Sequence, residues 1–169
     1  KKHFLGTHFF NPPRYLRLLE IIPTQYTDTD LVKFLMQFGD RFLGKQTVLC
    51  KDTPAFIANR VGVYSMARIF QLTEELGLPI STVDKLTGPV IGRPNTGTFR
   101  LADLVGHDTG VKVMQGIQHN CPDDEQAGAF NVPGYMQFLL DNKFLGNKTG
   151  QGSYKKGEGK NAKGQTEYL

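Results

Sequence analysis

The sequence predicts a mainly α-helical protein with a small α/β part at its N-terminal end. The first 52 residues alternate short apolar, strand-like segments with one amphipathic helical pattern, whereas the rest repeats a helical apolar spacing. A change of character at "DTPAFIANR" (52–60) separates the two parts. Alternating strands and helices are typical of the edge of an α/β sheet. With 39% apolar and 21% charged residues, the chain has the composition of a folded domain.

The N-terminal elements follow from local patterns. Residues 4–10 and 18–23 are apolar and strand-like, and 45–52 resembles them. Between them, 27–44 opens with Thr and Asp, which are good helix caps, and ends on Gly44. Its apolar residues recur every three or four positions, as in an amphipathic helix: Leu31, Phe34, Leu35, Phe38 and Phe42. The predicted order is therefore strand, strand, helix, strand.

Helical signals dominate after residue 52. Pro54 suits the first turn of a helix, and the apolar spacing that follows continues as far as Gly77. Another helix begins near Ser81, which we predict to be its cap. The further helical segments are 80–88, 98–120, which holds one or two helices, and 134–146. We therefore divide the chain into 1–52, a helical domain 53–146, and a Gly- and Lys-rich loop or tail 147–169.

Composition and spacing exclude several kinds of protein. The formal net charge is +4, and residues 155–164 hold four lysines without interleaved aromatics, so we predict a solvated segment and no nucleic-acid site. Cys50 and Cys121 are too far apart for a disulfide scaffold or a cysteine-based zinc site. No His pair has metal-ligand spacing, so no metal is expected. No apolar run approaches the roughly 18 residues that span a membrane, and the cysteine usage fits a cytoplasmic location.

His8 and Glu20 are the strongest candidates for chemistry. They lie twelve residues apart on adjacent predicted strands, and a turn around 11–13 would bring these strands together. A carboxylate that binds one imidazole nitrogen leaves the other free to act as a base and stabilises the imidazolium. The alternative is a structural histidine. Glu20, however, lies inside "LLEIIP", where an ionised carboxylate needs a partner.

Asn59 is the third candidate, because its amide could donate to an oxygen that becomes negative during a reaction. It could equally form a structural hydrogen bond at the domain junction. The neighbouring Arg60 could meet a phosphate or an acidic helix partner. His3, His107 and His119 are scattered and show no metal-ligand spacing, and the glycines of "KTGQGSYKK" fit either an anion-binding nest or a turn.

Three blocks resemble the L-3-hydroxyacyl-CoA dehydrogenase family, in particular the bacterial fatty-acid oxidation type, which is fused to an enoyl-CoA hydratase. The blocks are "GTHFFNPPRYLRLLEIIP", "VLCKDTPAFIANR" and "GRPNTGTFRLADLVGHDT". A later segment, "GNKTGQGSYKK", resembles a further family element, with Ser153 where an aromatic residue is usual. The resemblance implies the last strands and a helix of a Rossmann-type NAD-binding domain, followed by the all-helical C-terminal domain of the family.

The same resemblance implies an activity and site roles. It implies NAD-dependent oxidation of an L-3-hydroxyacyl-CoA to a 3-ketoacyl-CoA in fatty-acid β-oxidation. His8 would be the general base, Glu20 would orient it, and Asn59 would hold the substrate oxygen. The segment 96–99 and Asp103 match a block near the acyl end of the site. Thr98 and Phe99 would contact substrate, although a structural role of the block is the alternative. Asn11 would contact the cofactor.

One departure from the family limits these expectations. No G-x-G-x-x-G occurs in the sequence, so the main NAD site of the family is missing, and we expect an internal fragment with little activity and no tightly bound NAD. Two alternatives stay open: a non-catalytic helical module for dimerisation or assembly, and a 3-hydroxybutyryl-CoA dehydrogenase. Expected partners are an acyl-CoA substrate and either a second copy of the chain or a fused hydratase domain.

Overall fold

A computed structural model of the chain describes residues 1–160 and 166–168. The chain divides into two compact units, Lys1–Val61 and Gly62–Leu169. Within the described residues, none of the helices combines the length and apolarity needed to cross a membrane.

The first unit is a three-stranded sheet covered by one helix. Strands β1 (Leu5–Phe9), β2 (Leu18–Pro23) and β3 (Gln46–Leu49) lie in the order β1-β2-β3, and helix α1 spans Thr29–Arg41. The β1–β2 pair is antiparallel and the β2–β3 pair is parallel. The order strand, strand, helix, strand predicted from the sequence is confirmed.

Side-chain alternation along β2 separates the core from the site. Leu19 and Ile21 form a buried apolar cluster with Val32 of α1. Successive side chains of a strand point to opposite faces, so Glu20 lies on the face away from that cluster. A charged residue can therefore occupy the middle of a buried, apolar strand.

The ends of α1 confirm the capping prediction. The Asp28 side chain accepts a hydrogen bond from the Asp30 amide at 2.9 Å, which satisfies one of the orphan donors of the first turn. After the last turn, Gly44 adopts a φ of +62°, a left-handed conformation that glycine enters at little cost.

Helix α2 (Ala58–Glu75) begins four residues later than predicted, because Pro54 lies in a turn and not in the first helical turn. Ala55 and Phe56, which follow Pro54, have φ values of +61° and +48°. A right-handed helix cannot include such residues, so it starts only after them. The left-handed pair is invisible to apolar periodicity, which continues through it.

The second unit is helical, with α3 at Ile80–Leu86, α4 at Phe99–Val105, α5 at His107–Asn120 and α6 at Gly134–Asp141. Its core is apolar and includes Ala67, Phe70, Val83, Phe99, Ala102, Val111, Met114, Ile117, Ala129, Phe130 and Met136. The helical prediction is confirmed. The prediction that Ser81 caps α3 is wrong, because Pro79 occupies that position without a side-chain hydrogen bond.

The prediction that 147–169 forms a loop or tail is wrong for part of this segment. Strands β4 (Lys156–Lys160) and β5 (Thr166–Tyr168) form an antiparallel pair. The rest of the Lys-rich segment, 161–165, lies outside the described residues.

Candidate active site

The sheet register places His8 directly opposite Glu20 in the β1–β2 pair. Directly opposed residues share one face of a sheet, and their side chains are close enough to interact. His8 Nδ1 lies 2.7 Å from Glu20 Oε2. The Glu20 side chain is 1% exposed, whereas that of His8 is 30% exposed. The pair thus has a buried carboxylate end and an accessible imidazole end.

The second oxygen of Glu20 binds the start of α2. Glu20 Oε1 accepts hydrogen bonds from the Ile57 amide at 3.0 Å and from the Ala58 amide at 2.8 Å. The first amides of a helix have no partner within the helix, so a carboxylate supplied by a neighbouring strand can cap them. Glu20 therefore joins His8 on one oxygen and the helix terminus on the other.

These bonds decide the charge of Glu20. Burial would raise its pKa, but hydrogen bonds from His8 and from the Ala58 and Ile57 amides outweigh burial and hold the pKa below its usual value of 4.5. Glu20 is therefore ionised at neutral pH, and an ionised carboxylate can only accept. Consequently His8 carries its proton on Nδ1, and Nε2 is left as the basic nitrogen.

In the sequence, Asn11 lies between His8 and Glu20, and Asn59 follows both. Asn59 lies in the first turn of α2, one residue after an amide that binds Glu20, and is partly exposed. Asn11 is exposed and follows β1 by two residues. Their proposed contacts to a substrate oxygen and to the cofactor stay predictions.

Thr98 and Phe99 are buried in the second unit, with exposures of 1% and 0%. The Thr98 hydroxyl donates to Thr87 Oγ1 at 2.9 Å, and the Phe99 ring packs against Phe70. The Asp84 carboxylate accepts hydrogen bonds from both of their amides. These contacts explain both residues by packing and helix capping, and their substrate role stays a prediction that the burial does not favour.

A second carboxylate–histidine pair, which the sequence did not predict, lies in the second unit. Asp103 Oδ1 is 2.8 Å from His107 Nε2, and the Asp103 carboxylate also accepts from the amides of Ser153 and Tyr154. His107 and Asp103 are 1% and 2% exposed, so no substrate reaches them. This arrangement fastens the segment after α6 to α4 and α5.

Two positions near this second pair require glycine because they lie close to atoms of Asp103. A Cβ atom on Gly152 would lie 2.2 Å from Asp103 Oδ1, and one on Gly146 would lie 2.3 Å from the Asp103 carbonyl oxygen. Of the two interpretations of "KTGQGSYKK", the turn is the one observed, and its amides bind an internal carboxylate. No group of three or more potential metal ligands occurs among the residues that the structure describes.

Sequence reasoning missed the two amides that hold Glu20. Backbone donors do not depend on the side chain, so the residue types at 57 and 58 did not indicate these hydrogen bonds. The signal available was indirect: an ionisable residue inside an apolar strand requires partners beyond one partly exposed histidine.

The acid sensitivity of the sheet provides a test of the Glu20 contacts. A lowered pKa means that the folded state binds fewer protons than the unfolded state near the usual value. The stabilisation is therefore fully present above about pH 4.5 and is lost as the pH falls through the lowered folded value. We expect hydrogen exchange in 5–23, corrected for intrinsic rates, to accelerate below that pH, and Glu20→Gln to weaken this dependence. Equal pH dependence in both proteins would contradict the assigned contacts.

Comparison with known families agrees with the fold. The NAD binding domain model of 3-hydroxyacyl-CoA dehydrogenase matches residues 1–53, and the model of its C-terminal domain matches residues 56–156. A dinucleotide-dependent oxidoreductase is thus the class to which these two matches point. The chain belongs to the 3-hydroxyacyl-CoA dehydrogenase family. The domain boundaries at residues 52 and 146 stay a prediction.

Curated relatives carry the same family name. A probable 3-hydroxyacyl-CoA dehydrogenase of Bacillus subtilis (strain 168) is 49% identical over 160 residues, which are 95% of this chain and 20% of that protein. One of Deinococcus radiodurans is 46% identical over 156 residues, which are 92% of this chain and 44% of that protein. The chain thus spans less than half the length of either relative.

Solved structures show the same fold. FadB2 of M. tuberculosis is 29% identical with a TM-score of 0.76, and the match covers 90% of this chain and 52% of that one. An (S)-3-hydroxybutyryl-CoA dehydrogenase of Ralstonia eutropha is 27% identical with a TM-score of 0.77, covering 89% and 51%.

Proposed function

We propose that this chain supplies the proton-transfer site of an NAD-dependent dehydrogenase that oxidises L-3-hydroxyacyl-CoA to 3-ketoacyl-CoA in fatty-acid β-oxidation. The observation that carries the proposal is the hydrogen bond between His8 Nδ1 and the buried Glu20 carboxylate. Family membership supplies the reaction type, and the pair supplies the base that such an oxidation needs.

His8 acts as the general base. With Nδ1–H donating to Glu20, the lone pair on Nε2 accepts the proton of the substrate 3-hydroxyl. The proton of the 3-hydroxyl goes to His8 Nε2, and the C3–O bond would become a carbonyl once a bound cofactor had taken the hydride from C3. The negative charge of Glu20 stabilises the imidazolium that results. In the reverse direction, the same imidazolium returns its proton to the oxygen.

Asn59 holds the substrate oxygen in this proposal. Its amide group can donate a hydrogen bond to the oxygen while negative charge develops there. Its place in the first turn of α2, next to the amides that bind Glu20, supports this role because the same helix start anchors the pair.

NAD, when bound, accepts the hydride, and that chemistry belongs to the cofactor. The residues present fit the proton-transfer end of such a site, since the His8 side chain is 30% exposed while its Nδ1 binds Glu20. They do not include a glycine-rich phosphate turn, so we assign no residue of this chain to the pyrophosphate. Asn11 remains the candidate cofactor contact near the pair.

The length of the acyl chain that the substrate carries distinguishes two candidate functions. Two solved relatives carry the name 3-hydroxybutyryl-CoA dehydrogenase, at 27% and 28% identity, and this favours a short acyl chain as the second candidate. Other relatives are named putative fatty acid oxidation complex trifunctional enzymes, which favours packing on fused domains as a partner mode. A second copy of the chain is the other partner that we propose.

The test is NADH oxidation with acetoacetyl-CoA by the full-length natural polypeptide that carries this sequence. We expect turnover that requires NADH, and a series of longer 3-ketoacyl-CoA substrates would rank the two candidates by kcat/KM. A folded protein that turns over none of these substrates would refute the proposal.

A further inference from the structure

The His8 imidazole lies against two aromatic rings. The Phe10 ring centroid is 4.6 Å from that of His8, at an interplanar angle of 53°. The Phe56 ring centroid is 5.6 Å away, at 52°. Tilted aromatic pairs at these distances attract each other through their charge distributions. Phe10 lies two positions after His8, just beyond the end of β1, whereas Phe56 comes from the turn before α2.

Phe56 reaches His8 through an unusual backbone. Phe56 and Ala55 both adopt left-handed conformations, which cost energy for residues other than glycine and persist only where surrounding contacts hold them. The contacts here are the two hydrogen bonds from the following amides, Ile57 and Ala58, to Glu20 Oε1. The carboxylate that binds His8 thus also holds the turn that carries Phe56.

A hydrogen bond alone leaves a histidine ring with rotational freedom. The χ2 torsion of histidine is broad and roughly two-fold, so a half-turn of the ring replaces Nδ1 with a carbon. After that turn, Nδ1 no longer donates to Glu20 and Nε2 no longer faces its former direction. Two rings packed against the imidazole oppose this rotation.

We propose that Phe10 and Phe56 are positioning residues that hold the His8 imidazole with Nδ1 on Glu20 and Nε2 free, and that Glu20 places Phe56 through the left-handed turn at Ala55 and Phe56. This inference rests on the proposed function, in which Nε2 is the base. It extends that function from the histidine–glutamate pair to an aromatic clamp, meaning the rings of Phe10 and Phe56.

The experiment compares Phe56→Leu, Phe10→Leu and Phe56→Tyr in the full-length natural polypeptide. The matched control is Phe34→Leu, since Phe34 lies on α1 and is 59% exposed. Both clamp leucine variants should lower kcat by about 10-fold or more with KM nearly unchanged, because the base is misplaced while substrate binding is kept. Phe56→Tyr keeps a ring and should recover most of kcat.

Histidine-selective ¹⁵N NMR gives a readout that lost packing alone would not move. In wild type and in Phe34→Leu, His8 should show one tautomer with the proton on Nδ1. In the leucine variants of the clamp, the signal should broaden or report a mixture of tautomers. An unchanged His8 signal together with unchanged kcat in folded Phe56→Leu and Phe10→Leu would overturn the clamp.

The outcomes separate the two proposals. If His8→Gln abolishes turnover while the clamp variants behave like Phe34→Leu, the clamp is wrong and the proposed function stands. If the wild-type protein has no dehydrogenase activity, the proposed function fails, and the tautomer signal of His8 still decides whether the clamp orients the ring.

Discussion

His8→Gln is expected to lower kcat for acetoacetyl-CoA reduction by about 10²–10⁴, the usual contribution of a positioned general acid or base. Glutamine fills a similar volume and can still donate to Glu20, so the sheet should remain folded. It cannot carry a proton between solvent and the substrate oxygen. The measurement is the initial rate of NADH oxidation at saturating substrate, with wild type and variant side by side.

Two further variants make this prediction specific. His119→Gln changes an exposed histidine on α5 and should leave kcat unchanged. Glu20→Gln should lower kcat, because a neutral amide stabilises the imidazolium less than a carboxylate does. An unaltered kcat in folded His8→Gln would contradict the proposal that His8 is the general base.

Asp103→Ala is expected to destabilise the second unit by roughly 3–5 kcal/mol, because a hydrogen bond to a charged group contributes about 1.5–3 kcal/mol and several are lost together. Asp103 accepts hydrogen bonds from His107 and from the Ser153 and Tyr154 amides. Both amides would lose this acceptor, and His107 Nε2 would keep only the Ser153 hydroxyl at 3.1 Å. The pKa of Asp103 reflects the same contacts. Burial raises this pKa, but the hydrogen bonds of His107 and of the two amides outweigh burial and hold the pKa below its usual value.

Thermal and urea unfolding followed by circular dichroism would measure this loss. The matched control is Asp108→Ala, because Asp108 pairs with Lys148 at the surface, where ion pairs contribute little. The control should unfold close to wild type, and Asp103→Ala should unfold well before it. Coincident unfolding of the two variants would show that Asp103 does not fasten the segment that contains Ser153.

Several features followed from local sequence alone. Apolar alternation and spacing predicted β1, β2, β3 and α1, and the Asp28 cap and Gly44 stop agreed with the structure. These features depend on neighbours within a few residues, so a single sequence contains them. The pairing of His8 with Glu20 was also within reach, because the two residues lie on adjacent predicted strands that a turn around 11–13 could bring together.

Other features depended on residues far apart in the chain. The amides of Ile57 and Ala58 meet a carboxylate 37 and 38 positions away, and Ser153 meets Asp103 across 50 positions. Every residue except proline has the same backbone N–H group, so no local sequence pattern predicts such contacts. The delayed start of α2 is related, since the left-handed turn at Ala55 and Phe56 directly precedes the two amides that bind Glu20.

Local sequence therefore determined β1, β2, β3, α1 and the helical character of the second unit, and it showed that Glu20 needed a partner. Tertiary structure alone decided which partners they have. A buried carboxylate must collect donors from any element that packs against it, and that choice is made by the packed chain as a whole.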